Sequence, residues 1–215
     1  MTIDKDDLLN SIIESLDRIQ YIKLEDIPNI DLYMDQVTTF MDKKLKSATR
    51  NPGDDKILTK TMINNYAKND LLPPPEKKKY SKEHILLLIF IYYYKGILTI
   101  NDIQTLLNPL TEHFFRNDEF GLGEVYKEVF GLEKEQVDVL KEDVINKYHI
   151  SRDTFEGAPD EDREFLQLFS FICMLSFDVY VKKLLIEKMV DSLGKAVEET
   201  KKEGKKEKSN EEKNK

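Results

Sequence analysis

Chemistry needs side chains that exchange protons, attack carbon or phosphorus, or hold an ion, and this 215-residue chain disperses them. None of its three histidines, His84, His113 and His149, has a second His or Cys at metal-ligand spacing. His84 falls just inside a helix start, where an imidazole serves capping or packing. The single cysteine, Cys173, lies in FSFICMLSF, an apolar run that suppresses thiolate formation and predicts a core position. Gly121-Leu122-Gly123 opens like a dinucleotide fingerprint, but the third glycine and a preceding strand are missing, so it reads as a helix break. Asp160, Glu161 and Asp162 could suggest a divalent cation, yet acids at a helix N-terminus are accounted for by the helix dipole. No G-x-x-x-x-G-K loop occurs. The expectation is no catalytic residue, no metal, no cofactor and no enzyme.

Cationic side chains, by contrast, are concentrated. The formal net charge is −8, but residues 43–82 hold eleven Lys/Arg against four Asp/Glu. A basic segment in an acidic body suits a protein that meets phosphate with one surface and repels it elsewhere. A lysine-rich solvated loop would carry the same charge. At its centre, Pro73-Pro74-Pro75 and Lys77-Lys78-Lys79 separate two apolar helical patterns in LTKTMINNYAKNDLLPPPEKKKYSKEHILLLIFI (58–91).

Helices must position that segment. Residues 4–20 have amphipathic spacing, and a second helix is expected from about Pro28, with Ile30, Tyr33, Met34, Val37, Phe40, Met41 and Leu45 on one stripe. SATRNPGDDK (47–56) reads as a loop. Thr59 can cap a third helix, which cannot survive the prolines. Ser81 caps the next, whose unbroken apolar surface predicts a central helix closing at Gly96. Thr99 caps a shorter helix that Asn108-Pro109 should end. Short helices over 111–130, one over 133–148 and a long one over 162–193 follow. The charged tail from Lys195 should be disordered or frayed. At most KKKYS supplies a strand.

The expected organisation is thus all-α, with residues 1–110, 111–194 and 195–215 as successive regions. One cysteine excludes an internal disulfide and fits a reducing compartment. The acidic, amphipathic N-terminus is not expected to be a secretory leader. The longest apolar run, Ile85 to Tyr94, is half the roughly 20 residues of a membrane span. A cytoplasmic protein without membrane contact is expected.

Over residues 58–107 the chain resembles the DNA-binding domain of the MerR family of bacterial transcription regulators. LTKTMINNYAKNDLLPPP matches a capped recognition helix and its "GLLPP" turn, EKKKYSKEH a basic wing, ILLLIFIYYYKG an apolar helix, and ILTINDIQTLL the helix after it. The whole chain also resembles a set of bacterial proteins of unassigned function built around such a segment. The resemblance implies a winged helix-turn-helix-like N-terminal half, followed by a helical C-terminal half for dimerisation and an effector. It implies double-stranded DNA as partner, in sequence-specific transcriptional control. Thr59, Lys60, Thr61, Asn64, Asn65 and Lys68 would face the groove, Lys77, Lys78 and Lys79 would meet phosphate, and Tyr80 would close the wing or stack on a sugar.

Two departures are visible. A loop of about a dozen residues replaces the usual tight turn, although its Arg50 and Lys56 could also meet phosphate. Asn64 stands where family members commonly carry arginine. The metal-sensing cysteines of some members are absent, and the aromatic content of the C-terminal half permits an unknown small-molecule effector. The stripe Phe165, Leu168, Ile172, Leu175, Val179 suits helix packing, in a core or across a homodimer seam formed by the long helix. A protein–protein adaptor whose lysines read an acidic partner surface is the alternative function.

Overall fold

The computed structural model describes residues 5–17, 21–46, 49, 51 and 57–213. The protein is all-α: α1 (Lys5–Asp17), α2 (Met34–Leu45), α3 (Lys60–Lys68), α4 (Lys82–Tyr94), α5 (Ile100–Phe114), α6 (Leu122–Gly131), α7 (Glu133–Arg152) and α8 (Asp160–Lys213). One antiparallel pair, β1 (Leu32–Tyr33) with β2 (Lys79–Tyr80), supplements them. Arg50 and Lys56 lie outside the described residues.

The main body forms around α4. Every side chain from His84 to Ile91 is buried, because α5, α6 and β2 surround the helix. Complete burial of each such Leu or Ile contributes about 1.5–3 kcal/mol, which makes α4 the chief source of stability here. The same cluster takes Val37, Met41 and Leu45 from α2, Ile63 and Tyr66 from α3, and Leu122 and Tyr126 from α6. Tyr126 Oη donates to the Ile22 carbonyl at 2.5 Å, fastening α6 to the first buried residue of the body. The boundary expected at residue 110 therefore falls inside α5, and one core continues to the end of α6.

Several local expectations need correction. The second helix starts at Met34, because the Tyr33 N–H is already satisfied by Gln36 Oε1 (2.8 Å) and the preceding residues are extended. Ile30 and Tyr33 consequently lie outside the buried stripe and are exposed. α5 runs through Pro109 to Phe114; burial of Ile103 and Leu107, with Leu106 and Leu110 packed on the core, outweighs the ~3 kcal/mol penalty of an internal proline. Gly96 is no left-handed cap. Ile97 and Leu98 N–H both close onto the Tyr94 carbonyl, and Lys95 Nζ donates to the Ile57 carbonyl.

A smaller cluster joins α1, α7 and the first part of α8: Val144, Tyr148 and Phe171, with Leu9, Ile12, Ile13, Leu16, Met174 and Leu175 around them. Gln167 Nε2 caps the end of α7 by donating to the Arg152 (2.7 Å) and Thr154 (3.2 Å) carbonyls. Of the expected stripe, Leu175 packs on this cluster and Leu168 is half-buried, whereas Phe165, Ile172 and Val179 are exposed, because Gln167, Phe171, Met174 and Asp178 form the covered line. Cys173 is likewise exposed, not core, because α7 and α1 cover only the opposite side of α8. Helical backbone continues through the charged tail to Lys213.

Candidate functional site

α3 is amphipathic at close range. Thr59 Oγ1 accepts from the Met62 N–H (3.1 Å), fixing the helix start. Ile63 and Tyr66 face the core, and burial pushes the Tyr66 hydroxyl pKa up. Lys60, Thr61, Asn64, Asn65 and Lys68 are all exposed, on an arc of roughly 140° at 100° per residue. Beyond Lys68 the chain turns sharply. Asp70 adopts φ 54°, Leu71 and Leu72 N–H both return to the Tyr66 carbonyl, and the two leucines are buried. Gln104 Nε2 holds the Asn69 carbonyl at 3.0 Å, tying this end to α5.

After the prolines comes a tight hairpin turn, in which Lys79 N–H donates to the Glu76 carbonyl at 2.8 Å. Its central residues, Lys77 (φ 47°) and Lys78 (φ 65°), are both left-handed, the signature of a type I′ turn. Asn-Gly normally fills these positions. A side chain with Cβ costs about 1–2 kcal/mol at each. Here that strain is retained at two exposed lysines.

β2 pairs with β1 in the register Leu32↔Tyr80 and Tyr33↔Lys79. Lys79 Nζ thus lies over the Tyr33 ring, 5.4 Å from its centroid. Tyr80 is 3% exposed and packs edge-on to His84, so its ring closes the hairpin onto the core and cannot stack on a nucleotide sugar. Lys60, at the first turn of α3, forms an ion pair with Asp35. The start of α3 and the hairpin therefore meet on one short stretch, Tyr33 to Asp35. Thr59 is half-buried and its hydroxyl is committed to the cap.

Three contributors were not visible in the sequence. Tyr33 looked like a core residue, Asp35 like a solvated acid. Arg116, with φ 59°, braces the hairpin from the α5–α6 loop. Its Nη1 is 2.5 Å from Glu76 Oε1, and its N–H donates to Glu83 Oε1 at 2.8 Å. The Arg116 guanidinium holds the Glu76 carboxyl below its usual pKa. No local pattern announces a brace forty residues away.

His84 supports the hairpin from beneath. Its Nδ1 accepts from Ser81 N–H (3.0 Å) and lies 2.8 Å from Ser81 Oγ, so the sequence's capping role is what the geometry shows. Nε2 is buried; the Pro74 and Pro73 carbonyls approach it without reaching hydrogen-bond geometry. Burial is the main cause of a lowered imidazole pKa, with Arg116 adding to it and those carbonyls and Asp31 opposing.

A cavity of about 480 Å³ lies between Tyr21–Glu25, the start of α4 and α6, lined by Tyr21, Tyr126, Phe130, Lys23 and Lys82 among others. It belongs largely to the main body, whereas the sequence placed an effector in the C-terminal half. Among the described residues no helix is long and apolar enough to cross a membrane, and no three His, Cys, Asp or Glu side chains are grouped as metal ligands.

The model of a family described as a domain of unknown function, DUF1836, matches residues 22–129, nearly the span of the main body. No curated protein and no solved structure matches the chain.

Proposed function

The chain belongs to the DUF1836 family, and we propose that it is a sequence-specific double-stranded-DNA-binding regulator of transcription. α3 would enter the major groove and the Lys77–Lys78 turn would act as a wing on the flanking phosphates. The observation that carries this reading is the convergence on Tyr33–Asp35 of the Lys60 ion pair and the Lys79–Tyr33 stack. It joins the polar arc of α3 to the basic turn in one continuous surface. Asn64 and Asn65 offer a carboxamide for bidentate pairing with adenine, worth about 1–3 kcal/mol of discrimination per good pair. Lysines at the turn give affinity without sequence information. The retained left-handed strain fits a functional demand for cations at the tip.

The adaptor reading has an observation of its own in Asp35, which neutralises Lys60 at the start of α3 and weakens its attraction for phosphate. One experiment separates the two. Selection from a random duplex pool, followed by sequencing, should return an A-containing motif, and Asn65→Ala should lose preference at one or two positions. Retention of no DNA at low salt would favour the adaptor.

A further inference from the structure

α8 carries two faces that change places along its length. Over Gln167 to Asp178 one side is covered by α7 and α1. Further on, α5 covers the other side: Ile186 packs on the main core, Val190 is 5% exposed, and Gly194 sits against Thr105. Eighteen residues make five helical turns, so Ile172 and Ser176 lie on the side that α5 covers at Val190 and Gly194. Above Ile186 that side and the arc beside it are bare. Phe165, Phe169, Ile172, Phe177, Tyr180 and Leu184 are each half exposed or more.

These six residues, with Cys173 and Ser176 between them, read the same in both directions. Phe165 and Leu184, Phe169 and Tyr180, Ile172 and Phe177, and Cys173 and Ser176 all straddle the midpoint between Met174 and Leu175. Two antiparallel helices bring residues of constant index sum opposite one another, so this stripe is complementary to itself about a two-fold axis at that midpoint. Small residues at the centre admit close approach.

At the observed exposures the six side chains offer on the order of 700 Å² of apolar surface. That exceeds the roughly 300–600 Å² of the largest patch on a typical monomer and approaches the roughly 800 Å² per partner of a standard interface. This register sets Glu161 opposite the other copy's Lys188 and Asp162 opposite its Glu187, so the direction rests on the apolar pattern and not on charge.

We propose that the Phe165–Leu184 face of α8 docks a second copy of this chain, antiparallel, with the two-fold axis between Met174 and Leu175. The occupant is bounded at both ends. The pairing begins where α8 starts and stops where the chain's own α5 closes over the edge of the face.

Sedimentation of the intact protein at micromolar concentration should give twice the monomer mass. Phe169→Asp should return it to one mass with unchanged helical circular dichroism and a cooperative thermal transition, which separates dissociation from unfolding. Direction is read by mild oxidation. Cys173→Ser/Phe165→Cys mixed with Cys173→Ser/Leu184→Cys should give a covalent dimer at least ten times faster than either double variant alone, because residues 165 and 184 face each other across the seam while two copies of either lie about 28 Å apart along the axis. A monomer at every concentration overturns the proposal. So does rapid cross-linking of either double variant with itself, which marks parallel pairing.

Discussion

Between Ile22 and Tyr126 one core gathers twenty-five buried residues, while the α1–α7–α8 cluster has three at its centre among the described residues. Between Phe165 and Val181 the apolar content of α8 matches that of α4; its coverage does not. α4 is enclosed by α5, α6 and β2, whereas α8 has neighbours on alternating sides only and leaves Phe165, Phe169, Phe177 and Tyr180 more than half exposed. An apolar helix is a demand for cover, and the chain itself meets that demand in one region and not in the other. The family match ends at residue 129, close to the limit of the self-sufficient body.

The largest expected effect bears on this contrast. Leu87→Ala in α4 should lower unfolding free energy by about 2–5 kcal/mol, since a filled site becomes a cavity. Val139→Ala on α7, whose side chain is 58% exposed, should change it by less than about 0.5 kcal/mol. Urea titrations of both variants measure the difference. Comparable losses would mean that the second region is packed more tightly than its exposures indicate.

A second pair of variants separates the rigid body from the surface it presents. Asn64→Ala and Asn65→Ala should leave the melting temperature within a degree or two of wild type, both side chains being exposed, yet cost about 1–3 kcal/mol on the selected DNA site relative to random duplex. Equal losses on both DNAs would assign the asparagines to phosphate positioning.

The turn itself should reward repair. Lys77→Asn with Lys78→Gly installs the residues a type I′ turn prefers, so stability should rise by about 1–2 kcal/mol. A fall in stability would show that the lysines make folded-state interactions that offset the strain.

A smaller, pH-dependent effect lies beneath the hairpin. The His84 pKa is lowered in the fold, chiefly by burial, so below about 6.5 the unfolded chain binds the extra proton more readily. Stability present above that pH should therefore decline as pH falls through the window down to the folded value. His84→Gln keeps a Ser-x-x-Gln capping box and should flatten the decline below about pH 6.5, measured by thermal melts.

How much of this could be read from residues alone depended on whether the determinant was local. Thr59, Ser81 and Thr99 each sit immediately before a helix, and all three starts fall there; Thr59 and Thr99 close theirs with the hydroxyl, and at Ser81 the His84 ring closes it through the Ser81 N–H. The unbroken apolar run of α4 announced a central helix because nothing but full enclosure stabilises it. Tertiary packing decided the failures. Pro109 lost to burial of Ile103 and Leu107, Tyr33 was drawn into a strand by pairing with Lys79, and Cys173 was exposed because α8 is covered on alternating sides. In the candidate site, the exposed arc of α3 and the lysines followed from helical periodicity and charge. The braces at Asp35 and Arg116 did not, since each depends on a partner distant in sequence.

Whether the basic turn holds phosphate is decided by the salt dependence of binding to random duplex DNA, wild type against Lys77→Asn/Lys78→Gly. Each phosphate that the protein no longer neutralises should reduce the slope of log K against log salt by about 0.9. The expected result is a slope shallower by nearly two, in a variant that is more stable than wild type. An unchanged slope in that variant would contradict the DNA-binding reading of the turn, because the strained lysines would then hold no phosphate.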